Sequence, residues 1–406
     1  MECQRMASNF DPKRVLRQIS NDLLKDLFES HHHELELPWD QLDETEVDPI
    51  FHAWQDLPEA DCRAIEIVLH EINDMAQGDE GTRAICEEAI RQDRQDLVDE
   101  LDGYESRHDK AVWTYIKATD VWSLAVRFAR ADSLSRGRYW IKRCGLPAIE
   151  PNVRRENTMK LEEALSAFFL ATQARGRHCH IEHYVRASGL DYFFAYLDDY
   201  ADIYVTLDEV GAFDRRPERR AFELVMVYDR THGTLDMYVR GGKKVYIPLQ
   251  EIFCRVILGE EIGPENRDSH PYELNGLLSR DFRFPTEPGD GIDAVRVRKM
   301  RVSVKGAPRR RITLEADPEA GVDDIYDMLD TYLNQERLPA SILNLTQVGL
   351  KFSFDPSHDD LPKSLSFELS WPNSSNLKSK PERVRELAEK YLKQWGLDRA
   401  ASLQNA

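Results

Sequence analysis

The 406 residues are 41% hydrophobic and 31% charged, with a formal net charge of −19. That balance excludes a collagen-like chain, a disulfide miniprotein and a wholly disordered chain, and the length exceeds one small core and points to two or three domains. The negative surplus is local: residues 1–105 hold 28 Asp and Glu against 9 Lys and Arg, whereas residues 106–406 hold 45 of each.

The first 175 residues read as helices. Asp11-Pro12 offers an N-cap followed by proline at the first helical position, and Val15, Leu16, Ile19, Leu23, Leu24, Leu27 and Phe28 then recur at helical spacing to about residue 30. His31–His33 and the acidic stretch to Pro49 read as a loop. A helix opens at Pro58 with Ile65, Val68, Leu69, Ile72 and Met75 on one stripe, another covers about 82–102, and a long one covers about 107–135. A last helix, about 157–175, carries Leu165, Phe168 and Phe169.

At Arg175-Gly176 the period changes from 3.6 to 2. Residues 177–186 and 191–197 read as a strand pair across Ser188-Gly189. A hairpin followed by a helix then recurs three times: strands 222–228 and 234–240, strands 293–305 and 309–316, and strands 343–354 and 363–371. The third helix opens at Ser379-x-x-Glu382, a capping-box pattern, and stops at Gly396. The expected class is therefore α+β and multidomain, with an N-terminal helical bundle followed by antiparallel sheet. Its expected parts are an acidic helical module over 1–105, a helical extension of the same layer over 106–175, and an α+β domain over 176–406 with hairpin–helix units at 221–258, 293–336 and 343–396.

Signatures of chemistry are sparse. The chain has no G-x-x-x-x-G-K-[ST] loop, no G-x-G-x-x-G after a strand and no G-x-S-x-G elbow, so no cofactor is expected and no residue is assigned as catalytic. Six cysteines without a C-x-x-C pair suit reduced thiols in a cytoplasmic protein, and no stretch has the length of a signal peptide or a membrane span. On a strand, His178, His180 and Glu182 share a face, a three-ligand metal set weighed against an ordinary polar strand face. Asp198, Asp199, Asp202, Asp208 and Glu209 read as a solvated acidic loop. Arg63 and His70, seven apart on one helix, resemble the R-x(4–6)-H pair of the all-helical HEPN ribonucleases, which acts on the 2′-hydroxyl and phosphate of RNA. Ala64 departs from that pattern, and the acidic surroundings oppose RNA.

The sharpest electrostatic feature is the second hairpin. From Ile292 to Arg311 there are eight basic residues and one acid, Asp293. Val295 and Val297 alternate with arginines, after which the apolar parity shifts to Met300, Val302 and Val304. One extra residue at Lys299, a β-bulge, produces that shift. Arg296, Arg298, Arg301 and Lys305, with Arg309 and Arg311 on the return strand, then form a cationic stripe. The stripe suits protection of an exposed hairpin, an acidic protein surface or phosphate. The expected function is a non-enzymatic binding protein with a protein partner: an adaptor, regulator or accessory subunit of a larger assembly. The alternative is a nucleic-acid-binding protein or nuclease using 293–311 as a phosphate platform. No membrane partner is expected.

Overall fold

A computed structural model describes residues 10–134, 140–207, 211–263, 271–317, 321, 324–333, 336, 338–357, 361–377 and 380–399. The chain divides into two units, Met1–Ser133 with Ile203–Arg216, and Leu134–Asp202 with Pro217–Ala406.

The first unit is a helical layer of α1 (Pro12–Leu16), α2 (Asn21–Ser30), α3 (Asp48–Gln55), α4 (Glu59–Met75), α5 (Glu80–Arg91), α6 (Gln95–Leu101), α7 (Arg107–Lys117) and α8 (Thr119–Leu134). Asp11 caps α1 as its sequence implies, its carboxylate accepting from the backbone N–H of Lys13 at 3.0 Å and of Arg14 at 3.4 Å. Leu24, Phe28, Trp54, Ile65, Leu69, Ile72, Val112 and Val121 make the core. Three expected helices are each broken in two. The first stops where Ser20 turns extended and gives its backbone N–H to Asp109 at 2.8 Å. The third is interrupted at Asp93, which takes a left-handed φ of 57°, and the long one at Ala118. The apolar stripe runs through each break, so periodicity alone reads the pieces as one. The stretch read as loop up to Pro49 contains the start of α3, whose Ile50 and Trp54 are buried.

The second unit holds two five-stranded sheets. Sheet 1 has the order β1-β5-β4-β3-β2, from β1 (Trp140–Arg143), β2 (Cys179–Val185), β3 (Asp191–Leu207), β4 (Phe213–Asp229) and β5 (Thr234–Tyr238), the ends of β3 from Ile203 and of β4 up to Arg216 being counted with the first unit. Helices α9 (Arg155–Gln173) and α10 (Lys243–Phe253) supply Leu165, Phe169, Leu249 and Phe253 to its core, against Phe193, Met226, Tyr228 and Met237. Of the segment 106–175, α7 and nearly all of α8 thus belong to the first unit, and α9 to the second.

Sheet 2 has the order β10-β9-β8-β6-β7, from β6 (Ile292–Val304), β7 (Ala307–Glu315), β8 (Leu343–Phe354), β9 (Ser364–Ser370) and β10 (Ser374–Ser375). Helices α11 (Asp324–Tyr332) and α12 (Glu382–Gln394) bury Ile325, Tyr326, Leu329, Val384, Tyr391 and Leu392 against Val297, Met300, Leu350, Phe352 and Phe367. Helix α12 starts with Pro381 as its N-cap, and Ser379 of the expected capping box lies outside the described residues. The α+β class, helices first and antiparallel sheets after, is the one the residue pattern implies.

Candidate anion-binding face

With both helices of sheet 2 on one side, its other side is polar and partly solvated. Strand β6 sits between β8 and β7, so residues from three strands meet across this face. A bulge is present, one residue before the position expected: Val297 pairs with Leu350 and Lys299 with Gly349, so the extra residue is Arg298 and not Lys299. The bulge restores parity. Val297, Met300 and Val302 point to the core, while Arg296, Lys299 and Arg301 share the polar face. Gly349 keeps the crossing opposite the bulge close: a Cβ there would lie 3.0 Å from the Lys299 Cβ, a contact the strands must yield to accept.

The expected cationic stripe is only partly assembled. Arg296 lies across from Lys351 of β8, like charge against like. Arg301 lies across from Gln347 on one side and Thr313 on the other. Burial, and then the nearby Arg311 guanidinium, push the pKa of Arg301 below that of an ordinary arginine. The Nε atoms of Arg296 and Arg301 are both buried and meet no acceptor. Arg311 is exposed beside Ser303. Two of the proposed residues leave the group: Arg298 turns its Nη2 to the Ala316 carbonyl at 2.7 Å, and Lys305 gives its Nζ to the Ser341 carbonyl at 2.8 Å. The side chain of Arg309 lies outside the described residues.

Three neighbours join the face that the arginine count did not point to: Lys299, Gln347 and Lys351. Lys299 is neutralised locally by Glu368 at 2.9 Å and Glu315 at 3.7 Å, and the Glu368 hydrogen bond raises its pKa. Gln347 donates to the same Glu368 at 2.6 Å. The outward position of Gln347 and Lys351 was readable from β8, where Val348, Leu350 and Phe352 alternate inward.

The other candidates are dispersed. The backbone N–H of His178 meets Asp198 at 2.6 Å, and the ring of His180 lies 3.6 Å from Glu162 and 3.9 Å from Glu182. Among the described residues no three His, Cys, Asp or Glu side chains are placed to hold a metal ion. The acidic loop expected at 198–209 is a correction: β3 runs on to Leu207 and carries Asp198, Asp199 and Asp202, while Asp208 and Glu209 lie outside the described residues. Asp199 is bonded to Arg175 at 2.8 Å, and the Arg175 guanidinium stacks 4.0 Å from the Phe222 ring centroid. Arg63 is paired with Glu59 at 2.6 Å, and His70 stacks on Phe10 at 3.6 Å between centroids, so each is held by a neighbour of its own.

One further polar cluster escaped sequence reading because its members are remote in the chain. Lys142, Asp236, Tyr272, Glu389 and Asp398 line a cavity of about 30 Å³ beside β1. That is room for a water molecule rather than an organic substrate. Burial opposes the charge on Lys142, but Asp236 and Asp398 outweigh it and raise its pKa, while burial raises that of Tyr272. Near neutral pH this pair is an ammonium and a phenol, not a base or a nucleophile. The Cys179 and Cys254 thiols are each pushed up to about 12 by burial, leaving almost no thiolate at neutral pH.

The fold is thus an α+β chain with a helical unit and a two-sheet unit. No known family model matches it, and no curated protein or solved structure matches it. Among the described residues no helix is long and apolar enough to cross a membrane.

Proposed function

We propose that the protein is a non-enzymatic binding protein, an adaptor or accessory subunit, that holds an acidic protein segment on the polar face of sheet 2. The observation that carries this reading is the pair Arg296 and Arg301: each guanidinium has a buried Nε without an acceptor, and each is set beside a second cation, Lys351 or Arg311. A buried guanidinium Nε without an acceptor is costly, and an anion that reaches the two arginines relieves that cost. Carboxylates suit planar guanidinium forks. Nucleic acid is less well served, because the aromatic side chains of β8 and β9, Phe352, Phe354 and Phe367, lie in the core, which leaves no stacking platform on these strands.

Binding of fluorescent poly-L-glutamate and of a 20-base-pair DNA duplex, followed by anisotropy from 50 to 300 mM KCl, tests the reading. Polyglutamate is expected to bind more tightly than the duplex and to weaken with salt. Arg296→Glu with Arg301→Glu is expected to weaken it at least about tenfold with an unchanged circular dichroism spectrum. Equal binding by that double variant overturns the reading, and tighter binding of the duplex through the same two arginines replaces it with phosphate recognition.

A further inference from the structure

The outer edge of the same sheet extends this reading, on which it rests. Strand β7 is the last strand of sheet 2, paired on one side with β6. The register is regular from Lys299↔Glu315 to Ser303↔Arg311, and the Ala316 N–H bonds inward to the Arg298 carbonyl at 2.9 Å. In an antiparallel pair the bonding direction alternates. The N–H and C=O groups of Leu314 and Ile312 therefore also point to β6, and those of Arg311, Thr313 and Glu315 point away from the sheet. Among the described residues no strand pairs with β7 on that side. Arg310, Arg311, Ile312, Thr313 and Glu315 are all exposed.

We propose that β7 receives the acidic partner as an added antiparallel or parallel strand, the bound segment pairing its backbone with Arg311, Thr313 and Glu315. The side chains select which segment fits. On the polar face, Arg311 lies at the edge with Arg301 one strand further in, so the incoming strand meets positive charge there. On the opposite face, Ile312 remains 36% exposed at the rim of the core. A strand with carboxylates on one face and apolar side chains on the other satisfies both, since alternate residues face opposite ways. Glu315 sits at the far end of β7 and is drawn toward Lys299 at 3.7 Å, so the acidic half of the segment belongs at the Arg311 end. The same arginines oppose pairing of one β7 edge with that of a second copy, so repulsion and attraction act together in partner choice. Main-chain pairing supplies affinity and the alternating side chains supply specificity.

The probe is a capped ten-residue peptide alternating Glu and Val, with a copy N-methylated at alternate backbone nitrogens to abolish strand pairing at unchanged charge. On the full-length protein, saturating peptide is expected to slow hydrogen exchange at the Arg311, Thr313 and Glu315 amides at least about tenfold, and the N-methylated copy to bind at least about tenfold more weakly. Thr313→Pro is expected to weaken the peptide while leaving polyglutamate binding largely in place. If both peptides bind equally and the three amides gain no protection, strand addition is overturned. Loss of both on Arg296→Glu with Arg301→Glu still upholds anion binding on the face. If neither the peptides nor polyglutamate binds at 50 mM KCl, both proposals are overturned.

Discussion

Asp191 opens β3 as a fully buried carboxylate, and its partners explain how that is tolerated. Arg230 clamps it with two hydrogen bonds, 2.7 Å to Oδ1 and 2.9 Å to Oδ2, and His183 Nε2 lies 2.8 Å from Oδ1. Burial favours the neutral acid, but the His183 and Arg230 hydrogen bonds together outweigh it and hold the pKa below the ordinary carboxylate range. A depressed folded-state pKa contributes stability above the unfolded value, near 4, and that contribution is lost as the pH falls through the folded value. Asp191→Asn is expected to destabilise the protein by about 3 kcal/mol in urea at pH 7, because the Arg230 charge is left facing an amide. Its stability is also expected to fall less steeply between pH 5 and 2 than that of the wild type. Parallel acid limbs for the two proteins would show that the ion pair contributes no pH dependence. Nothing in the sequence marks this trio. The histidines near 180 drew notice as metal ligands, and the partner that matters, Arg230, lies 39 positions from Asp191.

At the scale of elements, the polar face of sheet 2 depends on one extra residue and one missing side chain. Arg298 resets the parity of β6, and Gly349 lets β8 pass beside Lys299. Gly349→Val is expected to cost about 2 kcal/mol by forcing the strands apart, and Gly349→Ala less. Thermal denaturation of the two variants checks this; melting temperatures equal to the wild type would mean the strands yield freely. The bulge was legible in the sequence because a switch from Val297 to Met300 breaks strict alternation, and alternation has only two outcomes. The three hairpin–helix units were legible for the same reason. Helix breaks at Asp93 and Ala118 were not, since a local change of φ or ψ leaves the apolar stripe intact. Strand β1 was missed because Trp140–Arg143 is too short for a period, and its pairing partner β5 comes almost a hundred residues later. The membership of the candidate site divides along the same line. Arg296, Arg301 and Arg311 follow from strand parity, whereas the diversion of Arg298 and Lys305 to carbonyls depends on where Ala316 and Ser341 fall in space.

The whole molecule carries its negative surplus in residues 1–105, where several of the few basic side chains are already engaged. Lys13 pairs with Asp48, Arg63 with Glu59, Arg91 with Glu88 and Arg94 with Asp96. The remaining carboxylates repel one another, and self-repulsion opposes the compact state. On sheet 2 the sign is reversed: Arg296, Arg301 and Arg311 gather positive charge on one face. Added salt screens both, with a Debye length falling from about 10 Å at 0.1 M to about 3 Å at 1 M. The two poles therefore answer a salt titration in opposite directions. Between 20 mM and 0.5 M KCl, hydrogen exchange in α4 and α5 of the full-length protein is expected to slow by about fivefold as repulsion is screened, while exchange in the core of β8 changes little. Over the same range, affinity for polyglutamate is expected to fall, because attraction is screened as well. Equal slowing in α4 and β8 would point to a general effect of salt on hydrophobic burial rather than relief of local charge. A helical unit that tightens while the basic face loses its ligand is the response that only segregated charge produces.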